Sequence, residues 1–178
     1  MEKISDTDLI IERLNDKHII NSFQSSENEL VDFLQEDALD NQKNRISVTY
    51  LFFLKTGELV GYVTLLNDRI NLEGDLKTVF REKGILYRAL PALKIGRLCV
   101  DDKYLRRGIG TQMIDFSIKV AFRIYEGYSG CRFIVLDAKK NKQSVHFYKK
   151  QGFRELKERQ KGTLPMYIDL VDNSKLLA

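Results

Sequence analysis

One stretch of the chain constrains the fold more than any other: residues 93–123, in which an apolar run, a short basic loop and a long amphipathic segment follow each other. The apolar run predicts a buried strand, and the amphipathic segment predicts a helix. Between them, Arg106 and Arg107 precede Gly108 and Gly110. Glycines let the backbone approach a ligand, and the first N–H groups of a helix favour anions. The stretch therefore predicts a phosphate cradle.

The positions around the two glycines limit which phosphate ligand fits. A dinucleotide-binding turn needs a third glycine three residues after Gly110, and that residue is Met113. A nucleoside triphosphate loop needs Gly-Lys-Ser/Thr after a longer loop, which this stretch lacks. The two arginines could add charge-assisted hydrogen bonds to a diphosphate. A glycine-rich helix start that binds nothing is the simpler alternative.

A second segment with chemistry-bearing side chains lies further along the chain. Residues 133–138 predict a strand, and residues 143–150 predict a short helix. The polar and aromatic residues of this segment follow the order Asn-x-x-small-x-x-aromatic-Tyr and then Gly-Phe. They are Asn141, Ser144, Phe147, Tyr148, Gly152 and Phe153.

Together these two segments resemble the GCN5-related N-acetyltransferase (GNAT) family, and the resemblance covers roughly residues 48–170. The acyl-CoA site of that family combines a strand, a glycine-rich loop and a helix with a second strand ending in an Asn…Tyr…Gly-Phe segment. The family loop usually reads Gln/Arg-x-x-Gly-x-Gly, whereas the first position here is Leu105. Because backbone N–H groups do most of the phosphate binding in such a loop, the resemblance still implies acetyl-CoA as co-substrate.

The resemblance implies an α/β fold. It has a mixed, mostly antiparallel central sheet with helices on both faces, splayed at its two central strands. At 178 residues and 43% hydrophobic content, the chain can bury a full core, and we expect a single acetyltransferase domain over residues 1–178. The other predicted elements are a strand at 9–11, a helix capped by Ser26 and Glu29, a hairpin of strands 48–54 and 59–66, a short helix near 76–82, and a last strand around 166–170.

The same resemblance implies roles for individual residues. The backbone of Leu98, Cys99 and Val100 would bond the pantetheine arm, and one of those N–H groups could polarise the thioester carbonyl. Asn141 would hold the arm from the other side, and Tyr148 would act as general acid toward the leaving thiolate. A tyrosine simply packed on its helix is the alternative for Tyr148. The implied diphosphate contacts are Arg106, Arg107, Gly108, Ile109, Gly110 and Thr111.

The sequence leaves the general base open between Asp68, Asp137 and a chain of water molecules. His146 stands two residues before the tyrosine on a helix and therefore points away from it, so we interpret it, like His18, as a surface residue. Cys99 could carry the acetyl group, but a small buried strand residue is the simpler interpretation. We therefore expect direct transfer to the acceptor within a ternary complex.

Composition excludes several classes of protein. The two cysteines, Cys99 and Cys131, form neither a disulfide framework nor a metal-ligand cluster, and no metal site is predicted. No early segment has the pattern of a signal peptide, and the longest apolar runs are of strand length. We expect a cytoplasmic protein without a membrane partner.

Charge is distributed unevenly and bears on the acceptor. Residues 1–40 hold eleven acidic and three basic residues, a net charge of −8, and residues 139–161 hold nine basic and two acidic residues, a net charge of +7. The basic run is either a solvated face or a contact for the 3′-phosphate of the cofactor or for RNA. The acidic first helix would suit a cationic amine.

The identity of the acceptor is not fixed by the sequence. Residues 23–39 are similar to the opening of bacterial toxin acetyltransferases that modify aminoacyl-tRNA, with Ser25-Ser26 where those have Cys-Gly. A small molecule, a protein and aminoacyl-tRNA all stay open as acceptors, as do a homodimer and an antitoxin partner. A non-catalytic CoA- or RNA-binding module of the same fold is the alternative to an enzyme.

Overall fold

The computed structural model describes residues 2–156 and 162–172, which divide into two compact units. The first unit comprises residues up to 66 together with 95–117, and the second comprises 67–94 together with residues from 118 onward. The chain crosses between the units inside two long strands and one long helix, so each unit is built from segments distant in sequence.

Seven strands occur within the described residues, and they form one open, mixed sheet that is mostly antiparallel, as predicted. The strands are β1 Leu9–Arg13, β2 Val48–Leu54, β3 Leu59–Asn71, β4 Ala89–Val100, β5 Phe133–Lys139, β6 Arg154–Glu155 and β7 Thr163–Asp169. They are hydrogen-bonded in the order β1-β2-β3-β4-β5-β7-β6. The pairs β1–β2, β2–β3, β5–β7 and β6–β7 are antiparallel.

The helices alternate with these strands in the α/β order expected. They are α1 Asn28–Asp32, a π-helical turn Phe33–Asp37, α2 Ala38–Lys43, α3 Gly74–Glu82, α4 Ile109–Gly127 and α5 Lys142–Lys150. Short 3₁₀ turns lie at Asp6–Asp8 and Asp102–Tyr104. In the part of the chain that the structure describes, no helix has the length and apolar character needed to cross a bilayer.

The core of the first unit has side chains packed on both faces of β2. Leu51 is fully buried in a cluster with Leu34 and Ala38 of the helical segment 28–43. On the opposite face, the rings of Tyr50 and Phe52 contact Phe116 of α4 at 4.8 and 5.6 Å between centroids. Successive strand residues face opposite sides, which explains why an unbroken apolar run forms this strand.

The second unit has its own core under α3. Phe80 of α3 contacts Phe133 of β5 edge to face at 5.7 Å, and Ile70, Leu72 and Val135 are buried around them. The apolar spacing of α3 therefore turns one side of this short helix onto the sheet.

Two sequence predictions need correction, and one strand was missed. The predicted capping box is wrong, because α1 begins at Asn28 after Glu27 and none of the described side chains caps it. The N–H of Ser26 instead donates to the Asp102 carboxylate at 2.8 Å, so a tertiary contact overrides the local signal. The second hairpin strand runs on to Asn71, which places Asp68 inside β3. The two-residue strand β6 was not predicted.

Candidate active site

The predicted phosphate loop leaves β4 through a tight turn and enters α4. The carboxylate of Asp101 accepts a hydrogen bond from the Lys103 N–H at 3.0 Å and so caps the turn after the strand. Arg106 and Gly108 then have φ values of 61° and 89°, in the left-handed region. Residues that have a side chain rarely adopt this backbone conformation, which is why a glycine occupies position 108. We call residues 106–111 the cradle.

The cradle ends in the first turn of α4. The N–H of Gln112 donates to the Gly108 carbonyl at 3.2 Å, which places the N–H groups of Ile109 and Gly110 ahead of the hydrogen-bond ladder of the helix. These groups lie at the positive end of the helix dipole. A Cβ atom built on Gly108 would meet no atom of the described residues within 4 Å, so the space beside the loop is open among them. The geometry fits a bound phosphate.

The two arginines of the cradle differ in their surroundings. Arg106 is exposed. Arg107 is half-buried, its Nε donates to the Glu2 carbonyl at 3.2 Å, and its guanidinium carbon lies 5.7 Å from the Tyr104 ring centroid. Arg106 is therefore open to solvent, whereas the Arg107 guanidinium is directed toward residue 2. That both arginines contact the diphosphate stays a prediction.

Strand β4, which precedes the cradle, is in close contact with β3 on one side. A Cβ atom on Gly61 of β3 would lie 3.0 Å from the Cys99 carbonyl oxygen, so the two backbones are in close contact there. Cys99 itself is buried, and its burial raises the pKa of the thiol to about 11. A hydrogen bond from the Ser25 side chain lowers this pKa but has the smaller effect. A thiol with this pKa is almost fully protonated at neutral pH and is a poor nucleophile. Leu98 and Val100, its neighbours, are half-buried.

A loop that sequence reasoning missed is fastened to the end of β4. The N–H of Gln24 donates to Asp101 at 2.9 Å, and the N–H of Ser26 donates to Asp102 at 2.8 Å. The N–H of Asp102 in turn donates to the Gln24 carbonyl at 3.0 Å. We call this set of bonds the clamp. It holds residues 24–26 beside Cys99, and no local pattern in the sequence signals it.

The second unit carries the other two predicted residues. Asn141 is exposed and is the N-cap of α5, where its Oδ1 accepts a hydrogen bond from the Ser144 N–H at 2.7 Å. The sequence order Asn-x-x-Ser therefore serves helix capping. Tyr148 lies on the same helix, half-buried, with its ring 5.7 Å from that of Phe153.

Both candidate bases contact one lysine that sequence reasoning did not single out. Lys94 Nζ lies 2.7 Å from Asp137 and 3.7 Å from Asp68. All three line a cleft of about 750 Å³ in the second unit, together with five further carboxylates and two arginines. A lone lysine inside the apolar run 93–100 is the signal that could have identified it.

The basic run is only partly described. Lys140, Lys142 and Lys149 line a shallow depression of about 430 Å³ with His146, which is exposed as expected. Three further basic residues of the run, at positions 157, 159 and 161, lie outside the described residues. His18 departs from the prediction, because it is half-buried and hydrogen-bonded to Glu12 at 2.8 Å. It is a structural residue of the first unit.

Comparison with solved structures shows the same fold. AtaT complexed with acetyl-methionyl-tRNAfMet has 22% identity and a TM-score of 0.81, covering 96% of this chain and 100% of that chain. AtaTR bound with acetyl-CoA has 23% identity and a TM-score of 0.78, covering 97% and 99%. The KacTA–DNA complex has 22% identity and a TM-score of 0.73, covering 95% and 98%.

Sequence comparison gives the family. No curated protein matches the chain. The model of the acetyltransferase (GNAT) family, however, matches residues 13–153, from β1 to the turn after α5. This span includes β4, the cradle, Asn141 and Tyr148. The chain belongs to the acetyltransferase (GNAT) family.

Proposed function

We propose that this protein is an acetyl-CoA-dependent N-acetyltransferase that moves an acetyl group directly to a primary amine. Membership of the GNAT family and the fold shared with AtaTR bound to acetyl-CoA support this proposal. The observation that carries it is the cradle, where left-handed residues at 106 and 108 lead into the first turn of α4 beside open space. Such a turn suits the diphosphate of CoA.

In the proposed reaction, the diphosphate binds the N–H groups of the cradle, with Arg106 adding a charge-assisted bond. The pantetheine arm lies along the backbone of Leu98, Cys99 and Val100, where β4 and β5 are proposed to splay toward their carboxyl ends. One N–H group of that strand polarises the thioester carbonyl as charge develops on its oxygen. The elevated pKa of the Cys99 thiol favours direct transfer over an acetyl-cysteine intermediate.

The transfer step needs a neutral amine and a proton for the leaving group. The amine nitrogen bonds to the carbonyl carbon, the carbon–sulfur bond breaks, and the sulfur takes a proton from the Tyr148 phenol. The proton released by the amine passes to a carboxylate or to water. Asp137, ion-paired with Lys94 at 2.7 Å, and Asp68 are the proposed acceptors of that proton.

Two acceptor classes follow from different observations. The shared fold with AtaT complexed with acetyl-methionyl-tRNAfMet, and the lysines along α5, support aminoacyl-tRNA. The acidic cleft of the second unit, with seven carboxylates against three cationic side chains, supports a cationic amine such as a polyamine or a protein lysine. We favour aminoacyl-tRNA, because RNA would be bound outside the cleft by the basic helix.

Thiol release tests the proposal. Purified protein is incubated with acetyl-CoA and, in separate reactions, with aminoacyl-tRNA, uncharged tRNA, spermidine and a lysine peptide. We expect CoA thiol to appear with aminoacyl-tRNA and not with uncharged tRNA, because only the former carries the nucleophilic α-amino group of an amino acid. RNA binding that is lost at modest salt, with no thiol released by any amine, would instead identify a non-catalytic module.

A further inference from the structure

A short segment near the start of the chain is hydrogen-bonded to the cradle. The N–H of Ile4 donates to the Arg107 carbonyl at 3.0 Å, and Gln112 Nε2 donates to the Ile4 carbonyl at 2.6 Å. Arg107 Nε donates to the carbonyl of Glu2 at 3.2 Å, and the Ile4 side chain is buried. We call residues 2–4 the strap. It is joined both to the loop and to the first turn of α4.

The strap is attached where the cradle backbone is strained. Arg106 is one of only two described non-glycine residues with positive φ, and Gly108 also has a positive φ. Arg107, between them, makes two of the three bonds to the strap: its carbonyl accepts from the Ile4 N–H, and its guanidinium donates to the Glu2 carbonyl. A non-glycine residue keeps a left-handed conformation only where its surroundings determine it. The strap supplies such surroundings.

We propose that the strap and Gln112 are positioning elements of the acetyl-CoA site, which keep the cradle in its diphosphate-binding conformation. The inference rests on the proposed function, because it assumes that the cradle binds the diphosphate of CoA. It also assigns Arg107 a positioning role, since its guanidinium is bonded to residue 2 and lies over the Tyr104 ring. Arg106 is then the arginine that contacts phosphate.

The test replaces Gln112 by leucine, which removes the donor to Ile4 and keeps a similar volume. One partly buried hydrogen bond corresponds to about a three- to tenfold change in an equilibrium constant. We expect the Kd of CoA, measured by titration calorimetry, and the KM of acetyl-CoA each to rise by about this factor. The kcat and the KM of the amine stay unchanged. Gln35→Leu, at an exposed glutamine of the π-helical turn, is the matched control and should leave every constant unchanged.

A truncated substrate separates positioning from general damage. S-acetylpantetheine has the thioester and the arm but no diphosphate, so its KM should be the same in wild type and in Gln112→Leu. An equal rise in KM for both thioesters, or an unchanged Kd for CoA, would overturn the proposal. If Gln112→Leu does not fold, Gln112→Met serves instead, because its side chain keeps the length, adds no charge and cannot donate to the Ile4 carbonyl.

The wild-type protein separates this inference from the proposed function. If it neither binds CoA nor releases thiol, the proposed function fails. If it binds CoA and Gln112→Leu binds CoA equally well, only the positioning role is refuted.

Discussion

The buried carboxylate of Asp101 is the centre of the clamp, and replacing it with asparagine tests how the end of β4 is built. Asp101 is 3% exposed, and its two oxygens accept from the N–H groups of Gln24 and Lys103 at 2.9 and 3.0 Å. Asparagine has the same shape but only one acceptor oxygen. In Asp101→Asn, the NH₂ group of the new side chain therefore faces one of these two backbone N–H groups. Two hydrogen-bond donors then oppose each other.

The magnitude follows from these two bonds. A hydrogen bond to a charged group contributes about 1.5–3 kcal/mol, and a buried N–H left without a partner costs about 1–3 kcal/mol. Relief from burying a charge offsets part of this loss, so we expect Asp101→Asn to lower the free energy of unfolding by about 2–3 kcal/mol. For a chain of this length, that corresponds to a fall in Tm of about 4–12 °C.

The neighbouring residue provides the control. Asp102 also accepts a backbone N–H of the loop, that of Ser26 at 2.8 Å, but it is exposed. Water can replace its partner, so Asp102→Asn should cost no more than about 1 kcal/mol. Urea unfolding followed by circular dichroism gives both values. Equal losses for the two variants, within about 0.5 kcal/mol, would refute the claim that the buried carboxylate holds the clamp.

Three further predictions concern the reaction and its surroundings. Tyr148→Phe should lower kcat by about 10²–10⁴-fold with little change in the Kd of CoA, and full turnover in steady-state assays would remove its role as general acid. Arg106→Ala should raise the Kd of CoA by about tenfold, with an effect that shrinks as salt increases, and calorimetry at two ionic strengths measures this. Because burial raises the pKa of Cys99 to about 11, above its value in the unfolded chain, the unfolded state loses that proton first as pH rises. Between pH 8.5 and 11, the free energy of unfolding of wild type should therefore fall by up to about 3 kcal/mol more than that of Cys99→Ala. An equal fall for the two proteins, measured by urea unfolding at each pH, would contradict this.

Features carried by short, continuous segments were predictable from the sequence. The strand, basic loop and helix of residues 93–123 appear as expected, because glycine placement and helical periodicity are local properties. The helix after Asn141 was also predicted. The cap at Asn141 is also a local feature, because its side chain accepts from the N–H of Ser144, three residues later.

Features that depend on distant segments were not predictable in this way. The orientation of Arg107 depends on Glu2, and the clamp joins Gln24 to Asp101, 77 residues apart. Ser26 has the local pattern of a helix cap, but its N–H is bonded to Asp102 and the helix begins later. Strand β6 has only two residues, too few for any periodicity to appear. Each of these features is determined by a contact between residues that are distant in sequence.

The most direct test of the account is to observe which backbone N–H groups respond when CoA binds. A titration of ¹⁵N-labelled protein with CoA reports each amide separately. We predict that the largest shifts occur at Gly108, Ile109 and Gly110, with smaller shifts along Leu98, Cys99 and Val100. The same titration with pantetheine should leave the first group unchanged, since pantetheine lacks the diphosphate. Binding of CoA that leaves the amides of the cradle unmoved would contradict the account.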